Sequence, residues 1–105
     1  QQRKEKVQLK TFEDYLQHSV VKINRGDYEG ALKLLEKARE MSPKDGKVPY
    51  LVADIHCRTG QIELCLEHLK TAIQLDGFLR ILAQNDTDFE PLWEDKKFKL
   101  ITRMA

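Results

Sequence analysis

The stretch GDYEGALKLLEKAREMSP at 26–43 returns in outline as GQIELCLEHLKTAIQLDG at 60–77, a fixed offset of 34 residues. Gly26 meets Gly60, Glu29 meets Glu63, Leu32 meets Leu66, Leu35 meets Leu69 and Ala38 meets Ala72. Tyr28 and Ile62 match in bulk, as do Met41 and Leu75. A unit of this length cannot enclose its own apolar face, so copies must stack and bury one another. The repeat therefore constrains the fold more than any other feature of the chain.

Within each copy the apolar residues recur at three- and four-residue steps. Ala31, Leu34, Leu35, Ala38 and Met41 make one stripe, and Leu64, Leu66, Leu69, Ala72, Ile73 and Leu75 make the other, which predicts two amphipathic helices. Gly26 and Gly60 stand where a preceding helix must stop and the chain reverse, a place for the left-handed backbone. Pro43 and Gly77 close the two helices. A first helix is expected ahead of each glycine. Residues 11–25 open with Thr11 and Asp14 as a capping box, with Tyr15, His18, Val20, Val21 and Ile23 on the buried side. Residues 47–58 tolerate Pro49 in the first turn and carry Leu51, Val52, Ile55 and His56 inward.

After Gly77 the period degenerates. Phe78, Leu79, Ile81, Leu82 and Ala83 suggest a short helix that stops at Asn85-Asp86. A turn or short helix follows over Thr87–Trp93, then a last helix from Asp95 to Arg103 burying Phe98, Leu100 and Ile101. Trp93 is read as a seal beneath Phe89 and Phe98. The expected organisation is all-α: a solenoid of antiparallel helix pairs in one domain over 1–105. Repeat 1 spans 11–44, repeat 2 spans 45–78, a degenerate repeat and cap span 79–105, and 1–10 is a charged extension.

Composition agrees with a helical chain, since three prolines and five glycines in 105 residues leave little for the turns of an all-β fold. A net charge of +1 argues against nucleic acid as the partner. No apolar run approaches the ~20 residues needed to span a bilayer, which argues against a membrane. Cys57 and Cys65 form no CxxC pair, favouring a reducing, cytoplasmic setting. The chain opens without methionine, as an excised piece of a longer protein would.

Taken together, Gly26, Tyr28, Ala31, Leu35, Ala38 and Pro43 resemble the pattern of the tetratricopeptide repeat family, and Gly60, Leu69 and Ala72 repeat it. The second copy departs at Cys65 and Gly77, and neither copy has the usual tryptophan-leucine-glycine start of the first helix. The tail from Ala83 to Leu100 resembles the ending of many such arrays. The resemblance implies a superhelix whose first helices line a concave groove holding a segment of a partner protein. By that geometry the groove residues are Glu13, Leu16, Val20, Ile23 and Asn24 from repeat 1, with Lys47, Tyr50, Asp54, Cys57 and Arg58 from repeat 2. The resemblance also implies that this is no clamp for a terminal carboxylate. Leu16 and Val20 stand where that clamp has lysine and asparagine, and Asp54 stands in a second asparagine place.

Residues of chemical promise read more blandly. His56, Cys57, Cys65 and His68 match no usual zinc spacing, and adjacent His56 and Cys57 face different sides of a helix. The run DTDFE (86–90) begins like a calcium loop but has Pro91 where glycine is needed. No phosphate-binding loop, nucleophile elbow or His/Cys catalytic motif occurs, so no cofactor and no enzymatic activity are expected. The leading expectation is a protein–protein interaction module or scaffold. The alternative is a structural, docking or self-association domain. A third reading, an RNA-binding pentatricopeptide array, calls for a basic groove and a 35-residue repeat, which this sequence lacks.

Overall fold

A computed structural model describes residues 8–103. The described chain folds into α1 (Phe12–Asn24), α2 (Tyr28–Met41), α3 (Lys47–Arg58), α4 (Ile62–Leu75), α5 (Leu79–Asn85), a 3-10 helix (Thr87–Leu92) and α6 (Lys96–Thr102), with no strand among the described residues. The expected all-α solenoid is what stands there. Helix α1 packs on α2, α3 packs on α4, and α2 and α1 both touch α3, so the second hairpin stacks on the first. The radius of gyration is 14.7 Å, against about 13 Å for a compact domain of this length. The array is elongated, as stacked hairpins must be.

Local chemistry sets each boundary. Thr11 and Asp14 form the reciprocal capping box at the start of α1, Thr11 Oγ1 accepting from Asp14 N and Asp14 Oδ2 from Thr11 N. That cap stops α1 from extending backward through residues 8–10. Residues 1–7 of the charged extension lie outside the described residues. Gly26 and Gly60 adopt φ of 83° and 80°, and are the residues that turn the two hairpins. Asp95 caps α6, its carboxylate accepting from Lys97 N and Phe98 N.

The core lies in two contiguous clusters. The first gathers Leu16, Ile23, Ala31, Leu35, Ala38, Val48 and Ile55, and the second gathers Tyr50, Ala53, Cys65, Leu66, Leu69 and Ala72 with Leu79, Ala83, Phe89, Leu92 and Phe98 of the tail. The tail therefore completes the second hairpin's core. Trp93 packs half-buried against that cluster, its Nε1 donating to Ala83 O at 3.1 Å.

The facing of α1 differs from expectation. Val21 is 46% exposed and Val20 39%, while Leu16 and Ser19 are buried. Ser19 is fully buried, and its hydroxyl is satisfied internally by donating to Leu16 O at 2.7 Å. Helix α3 likewise buries Val48, Tyr50, Ala53 and Asp54 along with Ile55, leaving Leu51, Val52 and His56 half-covered. Met41, Leu64, Leu75 and Leu100, expected inside, are exposed.

Candidate functional site

Helix α1, the start of α3 and the turn into α5 enclose an apolar groove of about 440 Å³. Leu16 and Val20 supply one wall, Tyr50 and Leu51 the floor, and Phe78, Leu79 and Leu82 the other wall. Val20 at 39%, Phe78 at 65% and Leu82 at 42% are exposed. Isolated exposed apolar residues need no explanation, but three around one concavity form a patch with a shape. Phe78 is held there because Asp76 Oδ1 accepts from Phe78 N at 3.1 Å, fixing the turn. Lys47 and Asp76 stand at the rim, and Lys47 Nζ lies 3.4 Å from Asp45 Oδ2.

Of the residues that the sequence assigned to a groove, Leu16, Val20, Lys47 and Tyr50 come together around this concavity. Glu13 is exposed on α1 one turn before Gln17, outside the lining. Ile23 must be corrected: at 2% exposure it belongs to the first core cluster and presents nothing to a partner. Sequence reasoning missed Leu51, Phe78, Leu79 and Leu82 as lining residues. The signal for the last three was present in the apolar run after Gly77, read only as a helix.

Asn24, Asp54 and Arg58 meet in a polar cluster instead. Asp54, 5% exposed, accepts from Arg58 Nε at 3.0 Å. Arg58 Nη2 donates to Asp88 Oδ2 at 3.0 Å and reaches Asn24 Oδ1 at 3.5 Å. Burial, followed by a hydrogen bond shared with Asp88, pushes the Asp54 carboxyl up to about 7, and the same bond holds Asp88 below the usual range. Next to this pair, Tyr50 OH donates to Asp86 Oδ2 at 2.8 Å, and its ring meets Phe89 edge-on with centroids 5.3 Å apart. Burial and this acceptor raise the Tyr50 phenol. The cluster fastens the 3-10 helix to α3, so these groups are largely occupied by the fold.

Cys57 donates to Asp88 O at 3.4 Å, and Cys65 is fully buried in the second core cluster. Burial raises both thiols, Cys65 to about 12, so both stay protonated at neutral pH. His56 and His68 instead stack on each other, centroids 5.2 Å apart, with burial lowering His68. The two pairs are thus separate, and no group of three or more His, Cys, Asp or Glu among the described residues is arranged to hold a metal. No helix among the described residues is long and apolar enough to cross a membrane.

Stacked hairpins, their two left-handed glycines and a 34-residue register belong together, and the tetratricopeptide repeat family matches residues 23–86, more than half of the chain. The chain belongs to the tetratricopeptide repeat family. The matched span of this tetratricopeptide protein runs from the end of α1 through α5, and leaves out the helix α6 that completes the second core. No curated protein and no solved structure matches the chain. Tetratricopeptide repeats in general mediate protein–protein interaction or scaffolding.

Proposed function

We propose that this tetratricopeptide protein binds a segment of a partner protein in the apolar groove between α1, α3 and α5, as an interaction module. The observation that carries the reading is the grouping of exposed Val20, Phe78 and Leu82 around one concavity floored by Tyr50 and Leu51. Such a groove suits a short amphipathic or extended segment presenting apolar anchors, whose burial would supply the affinity. Leu16 and Tyr50 are also core residues, so substitutions there would confuse folding with binding. Val20→Asp and Leu82→Asp change exposed side chains and leave the core intact. Affinity capture from native lysate with these variants is expected to lose a protein that the unaltered chain retains. Equal retention by both, with helicity unchanged, would remove the groove from the reading.

A second reading, self-association, rests on Leu100, 65% exposed beside Ile73 and Ile101 on the surface between α4 and α6. Light scattering across a concentration series separates the two, because Leu100→Asp would abolish assembly through that face and spare capture through the groove.

A further inference from the structure

A second concavity, sharing no lining residue with the groove, opens between α5, Trp93 and α6 and encloses about 600 Å³. Arg80, Lys99 and Arg103 reach its wall, Trp93 and Phe98 form its apolar side, and no carboxylate lines it. Surface cations are ordinarily interspersed with acidic partners, and on this chain Lys22, Arg39 and Arg58 have theirs. Lys99 is held by Glu94 at 3.0 Å, but Arg80 and Arg103 make no ion pair among the described residues.

The neutral donors around the pocket are used within the fold. Trp93 Nε1 donates to Ala83 O, Thr102 Oγ1 to Phe98 O, and Gln84 Nε2 to Thr102 O. Arg80 Nε, by contrast, is buried and without a hydrogen-bond partner. A buried donor on a cation is costly to leave unpaired. The pocket lining therefore brings together two arginine guanidinium forks without ion-pair partners among the described residues and the Trp93 indole. Its chemical complement is an oxyanion, since carboxylate and phosphate match the fork with two parallel hydrogen bonds.

We propose that this end pocket binds an oxyanion, a carboxylate or phosphate group whose adjoining carbon skeleton lies against Trp93. Trp93 is the only tryptophan in the chain, so its emission reports on the pocket directly. The experiment titrates the whole chain with inorganic phosphate and, separately, with glutarate, chloride holding the ionic strength constant. A saturable change in emission with at least one anion is expected, and the anion that binds tells phosphate from carboxylate. Arg80→Gln should raise the half-saturation concentration roughly tenfold, the effect of losing a hydrogen bond between charged groups. Lys33→Gln, on α2, should leave it unchanged. If Arg80→Gln lowers the helical signal, Arg103→Gln supplies the comparison. A linear, unsaturated response to both anions overturns the proposal, as do titrations of the folded arginine variants that superimpose on the unaltered chain.

Discussion

Gly60 and Gly46 are both helix-boundary glycines, yet the reasons no other residue fits are opposite. Gly60 has φ of 80° and nothing within 4 Å of where a Cβ would stand, so its constraint is purely conformational. Gly60→Ala is expected to cost about 1–2 kcal/mol, and Gly60→Asn less, because asparagine enters the left-handed region more easily. Gly46 has ordinary helical dihedrals, but a Cβ there would sit 2.7 Å from Ala72 O and 3.0 Å from Leu79 Cδ1. Gly46→Asn should therefore be worse than Gly46→Ala, the reverse of the order at position 60. Urea midpoints of the four variants check the crossover. Asp54 is the other residue whose environment makes a distinct prediction. Its carboxyl binds a proton more tightly folded, at about 7, than its ordinary 3.8. Between those values the folded state holds the extra proton, so this group's contribution to stability falls as pH rises from about 4 to about 7. Asp88 is shifted the other way, and its contribution is lost as pH falls below the ordinary carboxylate range. Facing the pair are Arg58 on α3, Tyr50 and Cys57 on the same helix, and Asp86 in the turn before the 3-10 helix. Asp54's contribution raises the denaturation midpoint near pH 5 relative to pH 8, opposed by His68, whose lowered value costs stability as pH falls below its ordinary 6.5. Asp54→Asn, neutral throughout, should remove that difference while keeping the bond to Asp88. An unchanged pH slope in the variant would show that Asp54 carries no extra proton.

At the scale of elements, the closest helix contacts rest on small side chains. Ala31 and Ala38 on α2, with Cys65 and Ala72 on α4, are fully buried where α1 and α3 press against them. Adding three carbons at either place must push helices apart, so Ala38→Leu and Ala72→Leu should each cost about 1–3 kcal/mol in a denaturant melt. These positions were legible in the sequence, as were the bounds of α3 and the two left-handed turns, because glycine, proline and helical spacing act locally. The facing of α1 was not. Leu16, Val20, Val21 and Ile23 offer two neighbouring apolar stripes about one residue apart, and periodicity cannot choose between them. The choice falls to Ser19, small, fully buried and able to satisfy its own hydroxyl within the helix. The candidate groove was half legible for a similar reason. Leu16, Val20, Lys47 and Tyr50 follow from helix register, whereas Phe78 and Leu82 reach the groove only because α5 begins earlier than a third repeat at the same offset would. Arg58 and Asp88, 30 residues apart, meet through the seating of the 3-10 helix, which no local pattern encodes.

The whole molecule raises the question of whether two core clusters make one cooperative unit or two. In a stacked array each hairpin contacts only its neighbour, and stability is near a sum of unit and interface terms. Here the interface is substantial, because α3 belongs to both clusters: Val48 and Ile55 enter the first, Tyr50 and Ala53 the second. Residues of one short helix cannot hold one packing while the other is lost, since their helical hydrogen bonds are shared. The tail strengthens the argument, because Phe89 and Phe98 are buried against the second hairpin and leave it no independent exposed end. Unfolding should therefore be a single transition. Leu35→Ala, in the first cluster, is expected to cost about 2–5 kcal/mol, and Phe89→Ala, in the second, about 3–5 kcal/mol. The decisive readout is Trp93 emission, which reports on the tail alone, set beside far-ultraviolet circular dichroism, which reports on every helix. If α3 couples the clusters, Leu35→Ala shifts the Trp93 transition as far as the dichroism transition, although Leu35 lies in the first cluster and Trp93 packs against the second. A Trp93 transition that stays in place while the dichroism curve splits into two steps would mean that the hairpins melt separately and that α3 frays between them.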